Sequence, residues 1–123
     1  MINSFNDLQR VKFIFSDPSI GNPLQLRIMD LFRFTKDRFS VYNDAGRTLR
    51  EFCNYQKYLG RKLKRVPDHS ILFTGVDICV GEYNTNCPTL GYANIGGMCD
   101  SSHSCTVNQD SGLGNRDQNY CKK

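Results

Sequence analysis

Cysteine is the residue that most constrains this chain. Six occur in 123 residues, three of them within "CPTLGYANIGGMCDSSHSC", residues 87–105. That density in a short chain points to disulfides formed in an oxidising compartment, hence to secretion. The opening "MINSFNDLQRVKFIF" has no basic region followed by an apolar core, as a secretory leader would. The expectation is therefore that upstream sequence is missing before Met1. No apolar run reaches the ~18 residues needed to span a bilayer. The length is that of one ordinary domain, and a net charge of +4 helps solubility without demanding a polyanionic partner.

Periodicity predicts the elements. Ile2, Phe5, Leu8, Lys12 and Phe15 fall near helical spacing, with Val11 beside them and Asn3 or Ser4 as the cap. "SDPSIGNP" ends that helix, because Pro18 drives Asp17 out of the α region. In "LQLRIMDLFRF", residues 24–34, imperfect alternation predicts a strand with one buried face, bulged near Asp30. A second helix opens at Asn43 or Asp44 and runs to about Leu63, with Leu49, Phe52, Cys53, Gln56, Leu59 and Leu63 as its stripe. "HSILFTGVDIC" predicts a short buried strand over Ser70–Thr74. From Val80 onward Gly, Asn, Ser and Cys dominate, with "YANIGG" and "CTVNQ" as short strands. Helices alternating with strands before a cysteine-rich edge suggest an α/β arrangement.

Candidate chemistry is sparse. Cys99, His103 and Cys105 give C-x3-H-x-C, three ligands without the partner pair that a closed zinc site needs. The better reading is disulfides and a histidine on a solvated loop. His69 is expected to lead into a strand with its ring hydrogen-bonded to backbone. There is no G-x-S-x-G elbow, P-loop or G-x-G-x-x-G. "GRKLKR", residues 60–65, suits a helix C-terminus better than nucleic acid, which calls for interleaved aromatics and a larger positive excess. Asp77, Glu82 and Thr89, with Gln109 and Asp110 further on, are hard oxygen donors of the kind calcium takes, though polar loops commonly contain them.

Four stretches, "FSDPSIGNP", "AGRTLREFCNYQ", "PDHSILFTGVDIC" and "TLGYANIGGMCDSSHSCTVNQDSGL", together resemble the catalytic domain of reprolysin-type zinc endopeptidases, the ADAM and ADAMTS branch of the metzincins. The flavour is closest to tick salivary and other arthropod secreted metalloproteases. The resemblance implies an α/β (α+β) fold, part of a metzincin upper subdomain. Its sheet is mixed, with an antiparallel edge strand, flanking helices and disulfide staples. It implies a partial protease domain over residues 1–113, lacking the first strand and the catalytic helix, and a divergent tail over residues 114–123.

Family members hydrolyse peptide and protein substrates with zinc-bound water. In them "DSGL" leads into H-E-x-x-H-x-x-G-x-x-H, where two histidines on one helical face and a third bind zinc and the glutamate activates water. Here the chain continues "GNRDQNYCKK", and His69 and His103 are its two histidines. The expectation is an inert fragment with no catalytic residue of its own. A secreted decoy that binds through its sheet edge and an incomplete gene product without independent function are the alternatives. A heparin- or membrane-surface role driven by charge is disfavoured.

The remaining site expectations come from the resemblance, except the use of Cys121 as partner of Cys99, which the family pattern does not supply. Leu90, Gly91, Tyr92 and Ala93 would form the substrate-binding edge strand. Cys53 would pair with Cys105 and Cys79 with Cys87, while Cys99, whose family counterpart bonds beyond the catalytic helix, would take Cys121. Calcium would be held by Asp77, the carbonyls of Ile78 and Cys87, the Thr89 side chain, and position 109. That position is usually Glu in the family and is Gln109 here, which weakens the site.

Overall fold

The computed structural model describes residues 2–36, 38–81, 83 and 85–110. Two compact units divide the described residues, 2–33 and 34–110.

In the first unit, helix α1 spans Ile2–Phe15, as the apolar spacing predicts. Asp17 then adopts extended backbone (φ −66°, ψ 131°) ahead of Pro18. Its Oδ1 accepts the Ser19 N–H at 2.8 Å and caps a 3-10 turn, Pro18–Ile20. That hydrogen bond holds the Asp17 carboxyl below its usual pKa. Gly21 closes the turn at φ +92°, a conformation that favours glycine.

The strand predicted over residues 24–34 does not form. Leu26 and Ile28 are half-buried, but Leu24, Leu31 and Phe32 are exposed. Alternating residues favour an extended chain, yet a ladder needs a neighbouring strand to bond with. The first unit contains no strand among its described residues.

The second unit is built on helix α2, Ala45–Leu63. Asp44 caps it, accepting the Arg47 N–H at 2.8 Å. At the other end Lys64 enters the left-handed region (φ 52°), and the Lys64 and Arg65 N–H groups return to carbonyls of the last turn. A Cβ at Gly60 would meet the Arg65 carbonyl at 3.1 Å, which explains a glycine on the buried face. Leu49, Phe52, Cys53 and Gln56 are buried as the stripe predicts. Leu59 is only half-buried and Leu63 is exposed, because Gly60 carries the buried face through the final turn.

The sheet has order β1-β3-β2. Strand β1, Ser70–Thr74, runs parallel to the central β3, Cys105–Gln109, with Leu72 opposite Val107. Strand β2, Gly91–Ala93, joins β3 antiparallel and forms the edge. Helix α2 packs against all three strands, β3 most of all. Ala45, Leu49, Phe52, Leu72, Ile78 and Val107 form the core, with Phe39 and Val80 against it. The architecture is thus mixed α/β, with an antiparallel edge strand.

Two expectations for these strands need revision. Strand β1 is not buried on both faces: Leu72 and Thr74 are covered, while Ile71 is 40% exposed. Helix α2 covers one face of the sheet, and the alternate residues point away from it. "YANIGG" is a strand only over Gly91–Ala93, after which the chain turns and Ile95 stands fully in solvent.

Candidate functional site: a stapled sheet edge

Two disulfides tie the cysteine-rich segment to the fold. Cys53, on the buried face of α2, bonds to Cys105 at the start of β3, with Cα atoms 5.7 Å apart. Cys79 bonds to Cys87 across a short loop. Cys99 is exposed and has no disulfide partner among the described residues. Cys121 lies outside the described residues.

The loop from β2 to β3 is a hydrogen-bonded turn, and the sequence's histidine is part of it. Asp100 Oδ1 accepts the Ser102 N–H at 2.8 Å, and Oδ2 meets His103 Nδ1 at 2.7 Å. These contacts, the Ser102 N–H first, lower the pKa of the solvent-exposed Asp100 carboxyl. Gln56 of α2 reaches the loop from below, donating to the Ser101 carbonyl at 2.9 Å and accepting from the Ser70 hydroxyl at 3.2 Å. A Cβ at Gly97 would meet the His103 carbonyl at 2.7 Å, so a glycine is required there. Glutamine in an apolar stripe was visible in the sequence, but nothing there indicates that it joins a loop to a strand.

His69 bonds to side chains rather than backbone. The Ser104 hydroxyl donates to the Asp68 carbonyl, so it accepts from His69 Nδ1 at 3.0 Å, and Nε2 lies 3.4 Å from Thr106 Oγ1. The network therefore assigns the proton to Nδ1. Burial pushes the His69 pKa below its ordinary 6.5. The unfolded chain thus takes up a proton as pH falls through 6.5, while the folded form takes it up only at lower pH. Stability is expected to be full above 6.5, to decline below it, and to level off beneath the lowered folded value. Urea titrations between roughly pH 5 and 8 check this. His69→Gln should flatten that part of the profile; an unchanged slope would assign the dependence to other groups.

The backbone of β2 determines what the edge presents. The Gln109 N–H donates to the Leu90 carbonyl at 2.9 Å, making Leu90 and Gln109 a hydrogen-bonded pair. Antiparallel pairs alternate, so Tyr92 opposite Val107 is the next such pair. Gly91 and Ala93, at the intervening positions, direct their N–H and C=O groups to the open side. No strand covers that side among the described residues. The four edge residues therefore divide: Leu90 and Tyr92 hold β2 to β3, and Gly91 and Ala93 face outward. A Cβ at Gly91 would meet Asn108 Oδ1 at 2.8 Å.

Of the residues expected to hold calcium, Asp77, Ile78, Thr89 and Gln109 are engaged in hydrogen bonds, and Glu82 lies outside the described residues. Asp77 Oδ1 accepts from Gln109 Nε2 at 2.6 Å, and Gln109 Oε1 accepts the Ile78 N–H at 3.0 Å. The Ile78 carbonyl accepts the Thr89 N–H at 2.8 Å, and the Thr89 hydroxyl donates to the Asn86 carbonyl at 3.0 Å. Asn43, the alternative opening residue for α2, instead donates its side-chain amide to the Asp77 carbonyl at 2.9 Å. Among the described residues no three His, Cys, Asp or Glu side chains converge to hold a metal ion. With His69 and His103 each engaged by their neighbours, the described residues do not fit a zinc centre.

A parallel strand pair, β1 and β3, is thus closed by the short antiparallel strand β2 and cross-linked to α2 through Cys53 and Cys105. The chain belongs to the reprolysin (M12B) family of zinc metalloproteases, whose family model matches residues 24–118. It is 41% identical over 109 residues to "A disintegrin and metalloproteinase with thrombospondin motifs 16" of Mus musculus, covering 87% of this chain and 9% of that protein. It is 37% identical over 109 residues to motifs 18 of the same series from Mus musculus, with the same coverage. To the human motifs 7 protein it is 36% identical over 111 residues, covering 86% of this chain and 6% of the relative. The chain thus spans less than a tenth of these relatives' length.

Proposed function

We propose that these residues form the substrate-edge portion of a secreted zinc metalloendopeptidase domain, and that the 123 residues alone do not hydrolyse peptide bonds. The observation that carries the first half is the outward-facing backbone of Gly91 and Ala93 on a strand stapled to α2. An extended peptide would add there as a further strand, with main-chain hydrogen bonds giving affinity. The exposed side chains of Leu90 and Ile95 would supply apolar contact beside it. The second half follows from the donor set. Neither His69 nor His103 has the partners a zinc site requires, and no glutamate accompanies either in the family's H-E-x-x-H pattern. The two disulfides support extracellular placement.

The purified chain is expected to cleave casein no faster than buffer, with or without added zinc. Chelator-sensitive cleavage would refute the inert reading. Capture of extended peptides from an immobilised library tests the edge. Ala93→Pro removes an outward donor without removing a ladder bond, so it should abolish capture while the circular dichroism spectrum is kept. Capture that survives Ala93→Pro would place peptide binding elsewhere. Cleavage of casein and capture by the edge are read separately, so a binding module without catalysis is distinguished from a protease.

A further inference from the structure

One neutral side chain bridges two successive residues of the loop between β1 and Cys79. Gln109, the last residue of β3, lies between the Asp77 carboxylate and the Ile78 backbone. Its amide orientation follows from the donor inventory. A flipped amide would set oxygen against carboxylate and N–H against N–H, so the hydrogen-bond network requires Nε2 toward Asp77. The same loop is held on two other sides, by Asn43 on the Asp77 carbonyl and by Thr89 on the Ile78 carbonyl. Ile78 is fully buried, so the loop is anchored in the core.

A calcium ion at this position would take its ligands from these same groups. For Gln109 to offer its oxygen, the ion would have to displace the 2.6 Å Gln109–Asp77 hydrogen bond and turn the Gln109 amide away from the Ile78 N–H. In exchange it would gain a single carboxylate, Asp77, from this set. Calcium affinity rises with the number of charged ligands, and a lone carboxylate among neutral donors is a weak set. The donor set therefore does not fit the cation.

We infer that the Gln109 carboxamide replaces a calcium ion in this chain. It bridges the Asp77 carboxylate and the Ile78 N–H and closes the loop on the end of β3 without metal. The N–H of a neutral amide supplies the positive partner that the carboxylate needs, as a charge-assisted hydrogen bond. The neighbouring edge strand then keeps its place at any calcium concentration.

Thermal melts of the full chain in EDTA and in millimolar calcium chloride test this, with magnesium chloride as the ionic-strength control. The wild-type melting temperature is expected to be the same in all three. Gln109→Glu sets two carboxylates against each other. It should melt about 4–8 °C lower in EDTA and recover in calcium but not in magnesium. Gln109→Met removes both hydrogen bonds without adding charge, so it should melt lower by the same amount in every medium. A wild-type melting temperature that rises with calcium would overturn the inference, because the native site would then take the ion. A Gln109→Glu chain that melts like wild type in EDTA would overturn it too, as would one that calcium does not restore. Casein cleavage and peptide capture do not enter these readings, so the inference stands or falls apart from the proposed function.

Discussion

Replacing Cys53 and Cys105 together by alanine is expected to destabilise the folded chain by about 4 kcal/mol. The bridge closes a loop with a sequence separation of 52. In the chain-entropy account, the reduced chain gains the freedom that such a loop removes. Against a typical stability of about 5–15 kcal/mol this is a large fraction, so part of the population should unfold at body temperature. The Cys79–Cys87 bridge spans a separation of only 8, and the same account gives it about 2.5 kcal/mol. Urea unfolding followed by circular dichroism, run on both double-alanine chains, measures the two. The longer bridge should matter more. Equal losses, or the reverse order, would show that native-state packing around the sulfurs outweighs loop entropy. Both Cys53 and Cys105 are buried in the core, so the alanines also leave space behind, which adds to the first loss.

What the sequence made legible follows from the range of the interactions involved. Helix α2 was readable because its cap and its stripe are local: Asp44 meets a backbone group three residues away, and Leu49, Phe52, Cys53 and Gln56 repeat with the helical period. "CTVNQ" was readable as a strand for the same reason. Its central position was not, because β3 pairs with β1 across some thirty-five residues and with β2 in the opposite sense. The segment 24–34 had the alternation of a strand, but alternation says nothing about whether a partner lies alongside. Burial of Ile71 was overestimated because an apolar run does not say which faces are covered.

The site was less legible still. Cysteine spacing does not fix pairing, and the pairing expected here came from family resemblance. Which edge residues face outward depends on hydrogen-bond phase, set by the Leu90–Gln109 pair, and a sequence does not state that phase. Gln109 was noted as a departure from a carboxylate. That its amide meets Asp77 on one side and Ile78 on the other depends on the fold bringing together residues some thirty positions apart.

Phe52→Ala should have an effect of similar size to loss of the longer disulfide, about 3–5 kcal/mol. Phe52 is 5% exposed and sits on α2 beside Cys53. Its ring lies 5.7 Å from that of Phe39, which in turn meets Tyr55 at 5.1 Å and Phe34 at 5.9 Å. Removing it leaves a cavity and takes from Phe39 one of its aromatic neighbours. The loss should appear as a lower urea midpoint with an unchanged slope, since the fold stays the same while its stability falls. Phe52→Leu keeps most of the volume and should cost markedly less. Because Phe52 and Cys53 are adjacent on the same buried face, the triple change with Cys53→Ala and Cys105→Ala should not be additive. Once the bridge is gone, α2 has more freedom to settle into the space the ring vacated, so the ring's removal should cost less than it does in the cross-linked chain. Strict additivity would mean that the bridge does not restrain how α2 packs on β3. The staple would then act only on the unfolded chain, and the outward groups of Gly91 and Ala93 would be positioned by the β2–β3 ladder and not by the cross-link.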